Sequence, residues 1–516
     1  MNGAESLVRT LLNGGVNTCF MNPGTSEMHF VSALDDYPEM RSILCLFEGV
    51  VSGAADGYTR LAEKPAASLL HLGPGLGNGI ANLHNAKKAY SPIVNIVGQH
   101  STKHLKYDAP LTADIEGLAW PVSNWVKTSE NSISIASDGA AAIAASMGPP
   151  GGVATLILPA NTAWGEADGP AETVPSIIPE SVPADRITEI ANLIRQNKNT
   201  VLLIGDRVMG DEKLGVQVSK IANAYGVRMM SSWYAAKVRR GAGMPMYERL
   251  QYAVDKSLKM LAGTQHIIRI GARDPIAFFA YPNKPSRFAP PNCEDHILVD
   301  LHEDIPAAIE ALLEELEAGD TEPILAPSKP AKLPQGDLDP DSVWMAITAL
   351  MPENSIVSDE SVTASRMAGP ITQSARPHDW LHVTGGSIGQ GLPVATGAAI
   401  AAPDRQVFAM EADGSAMYTL QALWTQARES LNVVNVIFNN QSYKILEIER
   451  KALCAKESGP QSDPMLSIGN PELNFVDLAK GMGVPAKRVN SSESFVKELQ
   501  RGIDEPGPYL IEAMIS

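Results

Sequence analysis

The chain has 516 residues, which is enough for about three domains of ordinary size. Hydrophobic residues make up 44% and charged residues 19%, a globular composition that excludes a disordered chain or a small disulfide-stapled module. The formal net charge of −17 argues against nucleic acid or an anionic membrane as a partner, so we expect neither.

The cysteines and the first residues indicate the compartment. Cys19, Cys45, Cys293 and Cys454 are scattered and form no CxxC pair, a pattern that fits a reducing environment better than a disulfide framework or a zinc site. The start, MNGAESLVRTLLNGG, predicts an amphipathic helix rather than a signal peptide. Because no run of about 18 apolar residues follows, we expect a soluble, cytoplasmic protein.

Two proline-rich stretches divide the chain. The first holds Pro170, Pro175, Pro179 and Pro183, and the second holds Pro323, Pro327, Pro330, Pro334 and Pro340. Proline removes a backbone donor and interrupts regular structure, so both stretches are interpreted as exposed connectors. They predict domains over residues 1–168, 185–320 and 340–516.

Each of the three segments alternates short apolar runs with helical stretches. The runs include PAASLLHL, SPIVNIVG and VATLILPA in the first segment, TVLLIG, HIIRIGA and HILVDLH in the second, and SIVSDE, RQVFAME, NVVNVIF and PYLIEAM in the third. Apolar runs without polar alternation are typical of strands covered on both faces. The pattern therefore predicts an α/β protein with three doubly wound parallel-sheet domains, whose ligands bind beyond the carboxyl ends of the strands.

Three residues of the first segment lie where such a sheet would place functional groups. Glu48 follows the run RSILCLF and precedes the small-residue helix GVVSGAADGY, a position that the helix dipole alone also favours. His71 and Gln99 each end an apolar run. A lone histidine at a strand end is more often structural than functional. We expect Gln99 to face the site and His100 and His104 to lie on a surface loop.

The strongest signal is in the third segment. Strand RQVFAME leads into Asp413, Gly414 and Ser415, and a helix is expected over YTLQALWTQARES. The next strand, NVVNVIF, ends in NNQSY, so that Asn440 follows Asp413 by about one βαβ unit. Carboxylate, amide and carbonyl oxygens suit Mg²⁺, and the helix N-terminus suits a phosphate. Either motif alone is more often a turn, with an N-cap or an Asx turn, but together they favour a metal and phosphate site.

These motifs resemble the thiamine-diphosphate-dependent enzymes, whose signature begins GDGS and ends about thirty residues later in NN. The resemblance implies that Asp413, Asn440 and the Ser442 carbonyl hold Mg²⁺, which clamps the diphosphate. Gly414, Ser415 and Tyr443 then belong to the cofactor-binding set. Ala412 replaces the family's glycine before the aspartate, a mild departure because alanine loses only the freedom to adopt positive φ.

The same resemblance extends to other cofactor contacts. The segment HVTGGSIGQGLPVATGAAIA places Ile388 where the family props the cofactor into its bent shape, with Gly386 allowing close backbone approach; tight helix–strand packing would also explain these glycines. Glu48 occupies the position of the glutamate that activates the aminopyrimidine ring. The loop NPGTSE and the segment HLGPGLGN resemble benzoylformate decarboxylase, which adds a final set of candidates: Asn22, Pro23 and Gly24 near the pyrimidine, Thr25 at the substrate, His71 as a proton donor or acceptor, and Asn78 at the cofactor.

The resemblance covers the whole chain, as pyrimidine, middle and diphosphate domains in the order of acetolactate synthase and benzoylformate decarboxylase. It implies a homodimer or homotetramer with active sites between subunits. Where benzoylformate decarboxylase has a middle-domain histidine, this chain has Phe278, Phe279 and Tyr281. After the metal loop, Ile445 and Glu449 would line the pocket. The compact middle segment shows no evident FAD site, and we expect no FAD.

The resulting hypothesis is a thiamine-diphosphate- and Mg²⁺-dependent decarboxylase and carboligase acting on a small-molecule 2-oxo acid, similar to acetolactate synthase. The alternative is a non-ligating decarboxylase of the benzoylformate decarboxylase type. An inactive cofactor-binding subunit is a third possibility, disfavoured by the retention of Glu48, Asp413 and Asn440. A nicotinamide-dependent dehydrogenase is disfavoured because the middle segment lacks GxGxxG.

Overall fold

The protein is described from a computed structural model over residues 1–175, 177–196, 199–329, 331–453 and 459–515. Pro330 of the second proline-rich stretch and Cys454 lie outside these ranges. The other three cysteines are free thiols. No helix among the described residues combines the length and apolar character needed to cross a bilayer.

The first sheet is entirely parallel, with the strand order β2-β1-β3-β4-β6-β5. Its strands are β1 (Thr18–Asn22), β2 (Arg41–Leu44), β3 (Ala66–Leu70), β4 (Ile93–Gln99), β5 (Trp125–Thr128) and β6 (Val153–Pro159). Its helices are α1 (Gly3–Asn13), α2 (Met28–Ala33), α3 (Glu48–Ala62), α4 (Leu72–Ala89), α5 (Ile115–Ala119), α6 (Ile135–Met147) and α7 (Ala160–Trp164). Strands β3, β4 and β6, which the apolar runs predict, are buried along their whole length, as expected for a sheet covered on both faces.

The second sheet is also parallel, in the order β10-β8-β7-β11-β12. The strands of this region are β7 (Thr200–Ile204), β8 (Arg228–Ser231), β9 (Val238–Arg240), β10 (Glu248–Arg249), β11 (His266–Ile270) and β12 (Glu294–Val299). The helices are α8 (Ala184–Gln196), α9 (Asp206–Met209), α10 (Glu212–Tyr225), α11 (Val254–Leu261) and α12 (Ile305–Glu315). Strand β9 does not join this sheet.

The third sheet has the order β17-β18-β16-β15-β13-β14-β9 and is parallel except where β9 pairs antiparallel with β14. Its strands after β9 are β13 (Ile356–Glu360), β14 (His378–His382), β15 (Val407–Ala412), β16 (Val433–Asn439), β17 (Ala486–Val489) and β18 (Tyr509–Met514). The helices are α13 (Pro340–Leu350), α14 (Ala368–Ile371), α15 (Gly391–Ala401), α16 (Asp413–Ala416), α17 (Ala422–Arg428), α18 (Lys444–Ala452), α19 (Phe475–Gly481) and α20 (Ser492–Asp504). The three parallel-sheet domains expected from the sequence are confirmed.

Helices α3 and α15 join the first and third regions through their backbones. A Cβ on Gly57 would overlap the Val394 carbonyl, and one on Gly397 would overlap the Ala54 carbonyl, so only glycine permits this approach. Beside this contact, the buried Asp56 pairs with Arg60 of its own helix at 2.6 Å. Glu48 begins α3, so this packing ties the helix of Glu48 to α15.

Candidate active site

Three of the predicted residues meet at the carboxyl edge of the first sheet. Strands β1, β3 and β4 are neighbours, with Asn22 in register with Leu70 and Leu70 in register with Val97. Asn22 therefore lies beside His71, which follows Leu70, and near the end of β4 at Gln99. The Asn22 amide donates to the Cys45 carbonyl at 2.7 Å, which connects β1 to the segment that leads to Glu48.

Glu48 begins helix α3 and is half-buried. Its Oε2 accepts a hydrogen bond from Asn78 Nδ2 at 3.0 Å. A Cβ on Gly75 would lie 3.2 Å from Glu48 Oε1, so that glycine leaves the second oxygen room. Glu48 thus lies at a helix N-terminus and also contacts Asn78, which the resemblance assigns to the cofactor. The two interpretations of this glutamate are therefore compatible.

His71 has a partner that the sequence interpretation did not identify. Its Nδ1 lies 2.7 Å from Oε2 of Glu27, whose side chain is completely buried. The same oxygen accepts from the Gly24 amide at 2.8 Å, and a Cβ on Gly24 would overlap the imidazole. Burial raises the pKa of Glu27, against the opposing effect of His71 and the Gly24 amide. Glu27 and Gly24 thus fix the ring orientation of His71, while the exposed Thr25 begins the short turn that ends at Glu27.

Gln99 and the two histidines that follow it differ in their surroundings. Gln99 is buried, and its Oε1 accepts from the His100 backbone amide at 2.8 Å. His104 is exposed, as expected, but His100 differs from the expectation of a surface position. Its Nε2 is buried without a hydrogen-bond partner among the described residues, and burial, with His104 and His71 nearby, lowers its pKa.

Asp413 and Asn440 meet at the carboxyl ends of the paired strands β15 and β16. Asp413 Oδ2 accepts from the backbone amides of Asn440, at 3.0 Å, and Gln441, at 2.7 Å. Asn440 Oδ1 accepts from the Ser442 amide at 2.9 Å. Burial raises the pKa of Asp413. This buried carboxylate beside amide and carbonyl oxygens is a donor set that fits a hard cation such as Mg²⁺.

The residues that the sequence predicts at a phosphate lie next to Asp413. Gly414 and Ser415 are buried in α16, and a Cβ on Gly414 would overlap the ring of Tyr443. The single helix expected over residues 418–430 is wrong in its bounds, because α16 already begins at Asp413 and α17 resumes at Ala422. The break follows from Thr419, whose hydroxyl donates to the Gly389 carbonyl at 2.9 Å instead of facing solvent.

Side chains of helices α4 and α3 hold the glycine-rich segment (residues 382–401) in place. Asn85 Nδ2 donates to the Ser387 carbonyl at 2.8 Å, and Asn82 Nδ2 donates to the Gly389 carbonyl at 3.1 Å. Gln390 Nε2 donates to Asp56 Oδ2 at 2.8 Å. Ile388 lies between these anchors and is half-buried.

Aromatic residues of the middle region close one side of this segment. Gly386 has a φ of +75°, and a Cβ there would overlap the ring of Phe278. Phe278 packs edge-on against Phe279 and Trp233, with ring centroids 4.6 and 5.1 Å away. Tyr281 instead donates to Glu449 Oε2 at 2.8 Å, which joins the middle region to α18. The structure therefore brings Tyr281 and Glu449, two of the residues expected to line the pocket, into contact.

Comparisons with known proteins match both outer regions of this chain. Residues 1–119 match the family model of the thiamine pyrophosphate enzyme N-terminal TPP binding domain, and residues 361–513 match the C-terminal one. A Mycobacterium tuberculosis protein named "Putative acetolactate synthase large subunit IlvX" is 47% identical over 100% of this chain and 99% of its own length. The chain belongs to the thiamine pyrophosphate enzymes.

Other relatives indicate which kinds of thiamine pyrophosphate enzyme this chain resembles. Benzoylformate decarboxylase of Pseudomonas aeruginosa is 29% identical over 96% of each chain. The solved structure of a thiamine diphosphate-dependent 4-hydroxybenzoylformate decarboxylase from Rhodococcus jostii superposes with a TM-score of 0.86 at 25% identity, covering 100% of this chain and 99% of that one. This is a thiamine-pyrophosphate-dependent enzyme of the acetolactate synthase or benzoylformate decarboxylase type.

A pair of buried carboxyl groups lies beside the glycine-rich segment of this thiamine pyrophosphate enzyme. Glu360 is the last residue of β13, and it is in register with Glu411, the penultimate residue of the neighbouring strand β15. Glu360 accepts from the amides of Gly389, at 2.7 Å, and Gly391, at 2.5 Å. Neither carboxyl oxygen of Glu411 has a hydrogen-bond partner among the described residues. The sequence offered a signal in the acidic ends of SIVSDE and AMEAD, but it did not show that the two side chains meet.

Replacing Glu411 with glutamine should make stability less dependent on pH. Burial raises the pKa of Glu360 to about 7, and burial together with Glu360 raises the pKa of Glu411 well above its usual range. A carboxyl group whose pKa is higher in the folded than in the unfolded protein stabilises the fold at a pH below its unfolded pKa. This stabilisation is lost as the pH rises through the folded pKa. Between about pH 5 and about pH 8, the free energy of unfolding of wild type should fall relative to that of Glu411→Gln, measured by urea unfolding.

The exposed Glu353 provides the matched control for this experiment. Glu353→Gln should follow the wild-type pH dependence. If the Glu411→Gln variant lost stability with rising pH as steeply as wild type, the buried pair would not be the source of the dependence.

Replacing Glu27 with glutamine should impair turnover through His71. The variant keeps the size of the side chain but removes the carboxylate that the imidazole contacts, so we expect turnover to fall roughly 10–100-fold. Because the variant lacks the Glu27 carboxyl group, whose pKa is raised, the acid limb of the pH–rate profile should also change. Thermal stabilisation by thiamine diphosphate should remain. A lower rate with an unchanged pH profile would contradict this positioning role.

Proposed function

We propose that this enzyme decarboxylates a 2-oxo acid and joins the remaining acyl carbon to a second carbonyl compound, in the manner of acetolactate synthase. The observation that carries the cofactor chemistry is the presence, on one chain, of the Glu48–Asn78 pair and the Asp413–Asn440 loop. Ligation rather than simple decarboxylation is supported by the name of the 47% identical relative.

The proposed cofactor site combines residues of both outer regions. Asp413, Asn440 and the Ser442 carbonyl would hold Mg²⁺, and Gly414 and Ser415 would contact the diphosphate. The other cofactor contacts proposed are Asn22, Pro23, Gly24, Asn78, Gly386, Ile388 and Tyr443. When bound, thiamine diphosphate supplies the electron sink for bond cleavage next to a carbonyl.

The protein's own groups would then move and hold protons. Glu48 already accepts from Asn78 at Oε2, which leaves Oε1 to exchange a proton with the cofactor's pyrimidine. His71, oriented by Glu27, would serve as general acid or base near the substrate, with Thr25 and Gln99 as further substrate-side groups.

The proposed assembly is a homodimer or homotetramer with active sites between subunits. Among the described residues, no hydrogen bond joins the Glu48 and His71 group to the Asp413 loop. Large apolar side chains next to each group are exposed: Leu46 beside Glu48, and Met417 and Tyr418 beside Asp413. Apolar residues exposed at both halves of a site favour a second subunit as their cover.

The proposed domain spans remain 1–168, 185–320 and 340–516. The described residues of the first connector, 169–183, contain no helix or strand, and neither do those of the second, 321–339. Strand β9 is the exception to a clean division, since it lies in the middle span but belongs to the third sheet.

A non-ligating decarboxylase of aromatic 2-oxo acids is the second candidate. The aromatic group of Trp233, Phe278 and Phe279 beside Gly386 favours it, because such rings offer edge-on packing to an aromatic substrate. The Rhodococcus jostii neighbour carries the name of such an enzyme.

Product analysis separates these functions. The enzyme loaded with thiamine diphosphate and Mg²⁺ is incubated with pyruvate, benzoylformate and longer 2-oxo acids, and CO₂ and organic products are quantified together. We expect a 2-hydroxy-3-oxo acid from pyruvate with little free aldehyde. Aldehyde alone would assign the decarboxylase, and cofactor binding without CO₂ release from any acid would assign an inactive subunit.

A further inference from the structure

A cluster of two histidines and a glutamate lies in the middle region, apart from the proposed active site. His266 begins β11, and Glu294 and His296 lie on the neighbouring edge strand β12. Because His266 is in register with Glu294, and His296 follows it by two residues, all three side chains share one face of the sheet. Within the described parts of the chain, it is the one group of three such side chains whose ligand atoms could surround a metal ion.

The three ligand atoms form a nearly equilateral triangle. His266 Nδ1 lies 3.2 Å from His296 Nε2 and 3.5 Å from Glu294 Oε2, and His296 Nε2 lies 3.6 Å from that same oxygen. Zn²⁺ binds imidazole nitrogens and carboxylate oxygens tetrahedrally at about 2.0–2.1 Å, which places neighbouring ligand atoms roughly 3.4 Å apart. The observed triangle therefore matches one face of a zinc coordination tetrahedron.

Burial and position also suit a metal centre. The side chains of His266 and His296 are 13% and 19% exposed, whereas that of Glu294 is 68% exposed, so two largely buried imidazoles lie behind a carboxylate that faces solvent. The opposite, carboxyl end of β11 leads toward Phe278 and the proposed active site. Since a five-residue strand spans roughly 16 Å, the cluster is too remote to contact the substrate.

We propose that His266, Glu294 and His296 bind Zn²⁺ or a similar borderline divalent metal ion, with solvent at the fourth position. The ion clamps the edge strand β12 to β11 and stabilises the middle region. Mg²⁺ does not substitute, because it prefers six oxygen ligands and keeps much of its water. Without a metal, the 3.2 Å separation of the two ring nitrogens is that of an N–H···N hydrogen bond, which is the competing explanation.

Cobalt provides the first test, on the full-length enzyme already saturated with thiamine diphosphate and Mg²⁺. We expect uptake of about one Co²⁺ per chain, with the intense visible absorption of a four-coordinate ion, and displacement by Zn²⁺. The double variant His266→Gln/His296→Gln should lose this absorption. His302→Gln is the matched control, since His302 follows β12 but is about half exposed and lies outside the triangle.

Stability and turnover supply the second test. Zn²⁺ should raise the melting temperature of wild type and of His302→Gln, but not that of the double variant. Turnover of the double variant should equal that of wild type, so failure of the metal site and failure of the proposed function are distinguishable. Equal Co²⁺ absorption in the double variant, or no uptake by wild type, would overturn the site and leave the hydrogen-bonded pair as its explanation.

Discussion

Changing Glu48 to glutamine should lower the turnover of the loaded enzyme by about 10²–10⁴-fold, the range for a positioned acid or base. The glutamine keeps the length of the side chain, and its amide oxygen can still accept the hydrogen bond from Asn78. What it loses is the ability to exchange a proton. Thiamine diphosphate with Mg²⁺ should therefore still raise the melting temperature, measured by thermal unfolding with and without cofactor.

A control at the other end of the same helix makes the result specific. Glu63 follows the last turn of α3, and its side chain is 78% exposed in an ion pair with Lys237. Glu63→Gln should leave turnover unchanged, since surface ion pairs contribute little. Wild-type turnover in Glu48→Gln would remove Glu48 from the proposed chemistry, and loss of cofactor binding would make its role structural.

The second large effect is expected from Asp413→Asn, which should weaken Mg²⁺-dependent binding of thiamine diphosphate by at least about 100-fold. Even loss of a group that only supports a metal ligand costs roughly 10–100-fold, and Asp413 is proposed as a ligand itself. The new amide would also point N–H groups toward the backbone amides of Asn440 and Gln441. Titration calorimetry with cofactor at saturating Mg²⁺ measures the loss.

The exposed Asp404 is the matched site, and Asp404→Asn should bind the cofactor as wild type does. Circular dichroism of Asp413→Asn should remain that of wild type, which separates lost binding from lost folding. Unchanged cofactor affinity in a folded Asp413→Asn variant would refute the proposed metal site.

Mixing the two variants tests whether active sites form between subunits. If each site takes Glu48 from one chain and Asp413 from another, a mixed dimer has one site with both changes and one site with neither. Random exchange of equal amounts should then restore about a quarter of wild-type turnover. Sites formed within single chains would show no restoration after exchange, which native mass spectrometry can verify.

The sequence predicts the Asp413 loop well because it depends on local rules. Asp413 and Asn440 each directly follow a strongly apolar strand. Because consecutive strands of a βαβ unit pair in parallel, the proximity of the two residues follows from their spacing. The parallel sheets are predictable for the same reason. Strands β1 and β5 are harder to foresee, since TCFMN is short and WVKT is only partly buried at the sheet edge.

What the sequence could not show depends on contacts between distant residues. Glu27 lies next to His71 only because Gly24 lets the loop approach the imidazole, and 44 positions of chain separate the two. His266 and His296 are likewise brought together by strand register, which no local pattern reveals. The aromatic packing of Phe278 against Gly386 joins the middle and third regions and required the folded chain.

Strand β9 limits how freely this protein can be dissected. It covers the edge of β14, with Arg240 stacked 4.8 Å from the centre of the Trp380 ring, although it precedes the second connector by some eighty residues. A fragment starting at residue 340 would therefore expose the unpaired edge of β14, which invites intermolecular strand addition. The proposed diphosphate domain is thus not complete on its own, because its sheet includes a strand from the middle region. Recombination at the second proline-rich connector would separate β9 from the sheet that it completes.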